Sequence, residues 1–214
     1  KQYLPLGGMT ILDQTLSRLL SHPQVAGVAL GLAEEDAYWP HSRWYHNSRI
    51  SRFVGGLERS DTVMQGLIHL RQTQHVQDDF VLVHDAARPL LSQQALTDII
   101  QDSHPCGALL AIAAKDTIKQ VNAASKAITV ASTLDRSYIW QAQTPQKFRA
   151  QQLLEALEGA HQAGVDITDE SSALEFMGYA PALVAGDASN IKVTTPSDLI
   201  VAEALIVHLG FATH

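Results

Sequence analysis

The run Phe80-Val81-Leu82-Val83 is followed at once by His84-Asp85-Ala86-Ala87-Arg88-Pro89. Short, apolar and β-branched, its first four residues read as a strand buried on both faces. Pro89 has no backbone N–H and stops the ladder. An acid and a base therefore stand where a strand emerges from a sheet. In open α/β sheets, ligands bind just beyond the carboxyl ends of the strands. Asp85 and Arg88 either hold a charged ligand or cap a turn and pair with each other. Spacing alone leaves both readings open.

Strand and helix patterns alternate around this run. Thr10, with Asp13 three residues on, reads as a helix entry, and Ile11, Leu12, Leu16, Leu19 and Leu20 form one apolar face. His22-Pro23 ends that helix. Residues 25–33 read as a strand interrupted by Gly27 and Gly31. Residues 37–47 read as an aromatic-rich loop; His41 and His46 lie five apart without an acidic partner, which is not a zinc spacing. A short strand at 50–54 leads to Gly55-Gly56, where the backbone turns tightly or approaches a ligand. Ser60 or Asp61 then caps a helix carrying Val63, Leu67 and Leu70. Ser92 opens another helix, with Leu96, Ile99 and Ile100, and residues 107–114 form a buried strand. The alternation predicts a mostly parallel, three-layer α/β sheet.

The pattern changes at Lys115. From 117 to 143 apolar residues recur with period two: Ile118, Val121, Ile128, Val130, Tyr138 and Trp140. A turn is expected at 122–125. This hairpin has too few large apolar residues for a core of its own, and isolated hairpins are marginal. It must pack on the parent sheet or on a second subunit. Thr144-Pro145-Gln146 reads as its end. A helix with Leu153, Leu154 and Leu157 follows. Ile167-Thr168-Asp169-Glu170 then leads into a helix over 171–177 with acids at its entry, and a strand follows at 182–184. A last strand ends at Thr194, where Thr195, Pro196 and Asp198 form a helix entry. Lys192 interrupts that strand, and must either reach solvent or find an anion.

The 214 residues fit one domain. A net charge of −7 argues against binding nucleic-acid polymers, but leaves room for a nucleotide pocket with local cations. Cys106 is the only cysteine, which suits a reducing compartment. No apolar run approaches the roughly 20 residues that cross a bilayer. Gly-x-Ser-x-Gly and a complete Walker loop are both absent.

Eight segments occur in order along the chain: Lys1-Gln2-Tyr3-Leu4; Gly55-Gly56 with Glu58-Arg59 and Thr62-Val63; Val83 to Pro89; Asp116 to Lys119; Asp135-Arg136; Thr144-Pro145-Gln146; Thr168-Asp169-Glu170; and Asn190 to Thr194. Together they resemble the 2-C-methyl-D-erythritol 4-phosphate cytidylyltransferase family of the non-mevalonate isoprenoid pathway. Ribitol 5-phosphate cytidylyltransferases share much of the pattern. The resemblance implies a Rossmann-like nucleotidyltransferase domain over 1–214, with a β-arm at 115–143 that crosses to the partner of a homodimer. It implies transfer of a cytidylyl group from CTP to 2-C-methyl-D-erythritol 4-phosphate with release of pyrophosphate, with Mg²⁺, in the cytoplasm; transfer to ribitol 5-phosphate or another sugar phosphate, or nucleotide binding without turnover, is the alternative. Neither a nucleic-acid polymer nor a membrane is an expected partner. A first strand and a glycine-rich triphosphate loop are expected ahead of Lys1. By resemblance, Lys1 and Lys192 contact phosphates, and Asp85 holds Mg²⁺ or a hydroxyl. Gly55, Gly56 and Thr62 take the nucleotide, with cytosine read by Gly56 and Thr62. Arg88, Thr144 and Thr168 bind the polyol. Thr117 and Arg136, from the partner's arm, grip its phosphate. Leu57 and Ser189 depart from the pattern, because relatives often carry polar or acidic residues there.

Overall fold

The computed structural model describes residues 1–74, 76, 78–122 and 128–210. The chain begins with β1 (Pro5–Leu6), β2 (Met9–Thr10), α1 (Ile11–Leu20), β3 (Val28–Leu32) and β4 (Ile50–Val54). It continues through α2 (Arg59–Thr73), β5 (Phe80–Val83), α3 (Gln93–Gln101) and β6 (Ala108–Ala113). The arm strands β7 (Lys119–Asn122) and β8 (Thr129–Thr133) precede β9 (Trp140–Arg149). Last come α4 (Ala150–Gln162), α5 (Glu170–Phe176), β10 (Ala182–Ala185) and α6 (Pro196–His208).

The central sheet has the order β10-β6-β9-β5. β10 runs parallel to β6, and β9 runs antiparallel to both β6 and β5. β3 and β4 form a separate parallel pair. Adjacent side chains of a strand point to opposite faces, and β9 uses this to organise three layers. Phe148 packs into an apolar cluster of α2, α4 and α5 with Leu67, Leu153 and Leu174. Lys147 reaches the other way, and its Nζ donates to the carbonyls of Ile100 and Asp102, each at 2.7 Å, at the C-terminus of α3. A second cluster joins Leu19 of α1 to Leu96 and Ile99 of α3 and Leu110 of β6. Each fully buried Leu or Ile contributes about 1.5–3 kcal/mol.

Among the described residues, no strand pairs with the edge of β3 away from β4, or with the edge of β5 away from β9. Cavities of about 380 and 570 Å³ lie between these edges, lined from both sides by Val28, Ala29, Val81 and Leu82. Phe80–Val83 is therefore not buried on both faces as expected: Phe80 is exposed and Val81 to Val83 are half-buried.

Other expectations are corrected in detail. Residues 25–27 do not join the strand, because the Arg49 guanidinium takes the carbonyls of Val25, Ala26 and Leu20. The second long helix begins at Arg59, not after Ser60 or Asp61. There the Asp61 carboxylate reaches back to accept from Glu58 N at 3.2 Å. Thr144-Pro145-Gln146 does not end a hairpin but lies inside β9. The register against β6 jumps from Leu109↔Gln146 to Ala111↔Ala142, and that irregularity tolerates a residue without an N–H. Residues 190–194 form no ladder; Val193 N donates to Ala87 O at 2.8 Å and hangs the extended segment on the loop after β5. The expected turn at 122–125 lies largely outside the described residues.

Candidate active site

Asp85 stands just past the end of β5, with its side chain about 10% exposed. Its Oδ1 accepts from Arg59 Nε at 3.0 Å, and its Oδ2 pairs with Lys192 Nζ at 3.0 Å. Arg88 Nε lies 3.5 Å from Oδ2, which adds charge without a directed hydrogen bond. Burial alone would raise the Asp85 pKa, but Arg59 and Lys192 override it and hold the carboxyl down at about 2. Three cations thus converge on one ionised acid.

Arg59 is the first residue of α2 and also spans to Glu170, the first residue of α5. Its Nη1 and Nη2 donate to the two Glu170 oxygens at 2.5 and 2.9 Å. Glu170 is 1% exposed. Burial pushes its carboxyl above the ordinary value, against the pull of the guanidinium.

The segment that carries Lys192 is held by buried polar groups. Asn190 is fully buried; its Nδ2 donates to Thr144 O at 2.9 Å, and its carbonyl accepts from Arg88 Nη1 at 2.7 Å. Gln143 Nε2 donates to Asp187 O, and Ser92 Oγ, the cap of α3, donates to the Asp187 carboxylate. Lys192 is therefore fixed by α3, β9 and the loop after β5 together.

Thr144 is buried, and its hydroxyl accepts from Asp85 N at 3.0 Å and lies 2.9 Å from His84 Nδ1. His84 Nε2 lies 3.1 Å from Arg88 O, an acceptor only, so Nε2 carries the proton and Nδ1 accepts from Thr144. The Thr144 proton is thus already committed inside the protein. The Thr62 hydroxyl is similarly engaged, accepting from Gly56 N at 3.0 Å and donating to Glu58 O at 3.1 Å. A Cβ on Gly56 would fall 2.2 Å from Asp61 Cβ, so only glycine fits this turn. Gly55 N closes on Leu32 O at 2.9 Å.

Lys1, Gly31, Arg59, Thr62, Asp85, Ala86 and Lys192 line one cavity of about 380 Å³. The expected phosphate-binding lysines and the expected acid therefore face a common space. Arg88 and Thr144 back this wall rather than lining it. Thr168 is exposed two residues before Glu170. Thr117 and Arg136 do not line the cavity; both are exposed at the base of the arm, where Arg136 donates to Lys115 O. Sequence reasoning gave no role to Arg59, Glu170, His84 or Asn190. Their only signal was position: each lies within a motif segment, one to three residues from a residue chosen for its charge or hydroxyl.

A mixed α/β sheet with cations gathered around an acid at a strand's carboxyl end suits a phosphorylated ligand, and comparison with known proteins makes it the site of an enzyme of the nucleotidyltransferase type. The model of the 2-C-methyl-D-erythritol 4-phosphate cytidylyltransferase family matches residues 1–208. A Pseudomonas aeruginosa protein of that name is 46% identical over 202 residues, covering 94% of this chain and 85% of its own length. A Pseudomonas fluorescens protein of the same name is 48% identical over 201 residues, covering 93% and 84%. A crystal structure of 4-diphosphocytidyl-2C-methyl-D-erythritol synthase superposes with a TM-score of 0.85 at 34% identity, over 96% of this chain and 93% of that one. The chain belongs to the 2-C-methyl-D-erythritol 4-phosphate cytidylyltransferase family.

Proposed function

We propose that this chain joins CTP to 2-C-methyl-D-erythritol 4-phosphate, with attack of the acceptor phosphate oxygen on the α-phosphorus and release of pyrophosphate. The observation that carries this reading is the cavity shared by Lys1, Asp85 and Lys192. A phosphate monoester has its second pKa near 6 and is already an anion at neutral pH. No strong general base is needed. The difficulty is bringing two anions together and neutralising charge at the reacting phosphorus.

Lys192 and Lys1 meet that need, with Lys192 exchanging its contact with Asp85 for a phosphate oxygen. Gly55, Gly56 and Thr62 take the nucleotide. The committed Thr62 proton makes its hydroxyl an acceptor toward the base, suited to an exocyclic amine. Arg88, Thr144 and Thr168 stand on the acceptor side.

Among the described residues, no cluster of three His, Cys, Asp or Glu side chains is arranged to hold a metal. Mg²⁺ is commonly bound by one or two carboxylates together with substrate phosphates. The lone carboxylate of Asp85 in the cavity fits Mg²⁺ arriving with CTP, and Asp85 would hold it. Bound there, the ion supplies positive charge against the phosphate oxygens.

The arm favours a homodimer. Every residue of β7 and β8 is exposed, including Val121 and Val130, so the hairpin buries no face within its own chain. Thr117 and Arg136 would then serve the partner's acceptor phosphate. The reaction would run in the cytoplasm, which suits a lone free thiol at Cys106.

The test is pyrophosphate release from CTP and Mg²⁺ with a panel of phosphorylated polyols. Turnover with methylerythritol phosphate is expected. Exclusive use of ribitol 5-phosphate would overturn the acceptor assignment, and tight CTP binding without release would reduce the protein to a binding module.

A further inference from the structure

Arg59 is a side chain that joins three parts of the cavity's surroundings. It opens α2, three residues after Gly56 and three before Thr62. Its Nε holds Asp85 beyond β5, and its two terminal nitrogens hold Glu170 at the start of α5, just after Thr168. All three guanidinium nitrogens are thereby spent on two carboxylates in different elements. Its side chain is 34% exposed, while those of Asp85 and Glu170 are 10% and 1% exposed, so the fork is pinned by its shielded ends. A planar guanidinium can span two carboxylates at once; a lysine ammonium is a point charge on a flexible stem.

These contacts join the two sides of the proposed site. The α2 entry carries the proposed nucleotide residues, and the α5 entry follows the proposed acceptor residue Thr168. Arg59 holds Asp85 with one nitrogen and Glu170 with the other two. We propose that Arg59 is a positioning residue that couples the nucleotide side of the site to the acceptor side through Asp85 and Glu170. The proposal rests on the reaction above. It assigns Arg59 no contact with substrate: its work is to keep two helix entries and one carboxylate in mutual register. A displacement of about 1 Å in such a site can cost on the order of 10²-fold in rate.

The test uses Glu170→Gln, Arg59→Lys and the double variant Arg59→Gln with Glu170→Gln, each with Tm, steady-state constants, and calorimetry of each substrate alone. Removing one partner leaves a shielded charge unpaired, which confounds folding with function. The double variant removes the Arg59–Glu170 pair while Asp85 keeps Lys192 and Arg88 beside it, and should keep its Tm near that of the wild type. The coupling predicts that this folded double variant binds both substrates at least tenfold more weakly, with kcat/KM down on the order of 10²-fold. It also predicts that Glu170→Gln raises KM for the acceptor more than KM for CTP, and that Arg59→Lys does not rescue. Wild-type affinity for either substrate in the folded double variant, or full rescue by lysine, would overturn it. Calorimetry keeps the two failures apart. A wild-type protein that binds both substrates without releasing pyrophosphate strikes the reaction, whereas variants that bind like the wild type strike the coupling.

Discussion

His84 keeps part of its ring at the cavity wall, but both ring nitrogens are bonded inward, to Thr144 and to the Arg88 carbonyl. Protonation of Nδ1 would put a donor where the Thr144 proton now points. Burial, partly offset by neighbouring hydrogen bonds and Asp85, lowers the His84 pKa to about 4. In the unfolded chain His titrates near 6.5, so the unfolded state binds the proton first as pH falls. The contribution is complete above about pH 6.5 and is lost progressively toward pH 4, on the order of 3 kcal/mol in all. Asp85, held near 2, adds a second loss, because its stabilisation is complete above the unfolded carboxylate pKa and disappears as pH falls from about 4 toward 2. We expect Tm to fall in these two windows. His84→Gln should lower Tm at neutral pH and flatten the decline between 6.5 and 4; an unchanged slope in that variant would refute the assignment. At this scale the charged residues were legible because Asp85, Arg88 and Lys192 break apolar or small-residue runs. The residues that orient them were not. Nothing in the local pattern distinguishes a histidine whose two nitrogens are satisfied from one at the surface. The Arg59–Glu170 pair bridges 111 positions, a separation at which local sequence carries no signal.

The element with the most consequence is β9. Its ten residues hold together the β6 and β5 ladders, send Phe148 into one helical layer and Lys147 to the other, and turn Gln143 and Thr144 toward the site. Lys147 closes the last turn of α3 by donating to two carbonyls that lack helical partners. Its ammonium also stacks 4.4 Å above the Phe80 ring. Lys147→Met preserves the stem but leaves those carbonyls unpaired, and should cost about 1–3 kcal/mol in urea unfolding. A change within 0.3 kcal/mol of zero would refute the capping role. Helices with a clean apolar stripe and a cap, such as α1 after Thr10 and α3 after Ser92, follow directly from their sequence. β9 does not, because Pro145 normally ends a ladder. Only the shifted register beside β6 makes room for it, and register is set by the neighbouring strand rather than by β9 itself.

At the scale of the whole molecule, the alternation of strands and helices was enough to predict the α/β class, and the period-two tract from 117 was enough to predict a hairpin without its own core. The pairing of sheets was not legible, since β3 and β5 face each other across a cavity. If the arm completes the partner's site, Arg136→Ala and Lys192→Ala spoil different copies of the chain's function. Mixed dimers of the two single variants should then regain part of the activity that each homodimer lacks, as measured by pyrophosphate release after verified subunit exchange. No recovery would argue against a crossed arm.

The chain as a whole is a polyanion, at −7, yet its cavity is lined by Lys1, Arg59 and Lys192 beside the single carboxylate of Asp85, with Arg88 behind the wall. A nucleoside triphosphate is therefore repelled from afar and attracted only at close quarters. At physiological ionic strength the field of exposed charges fades within about 8 Å, so dissolved ions mask the exterior's repulsion from afar before they mask contacts made inside the cavity. Modest salt should thus hasten the nucleotide's arrival while loosening its final grip, and the same electrolyte acts in opposite senses on encounter and on retention.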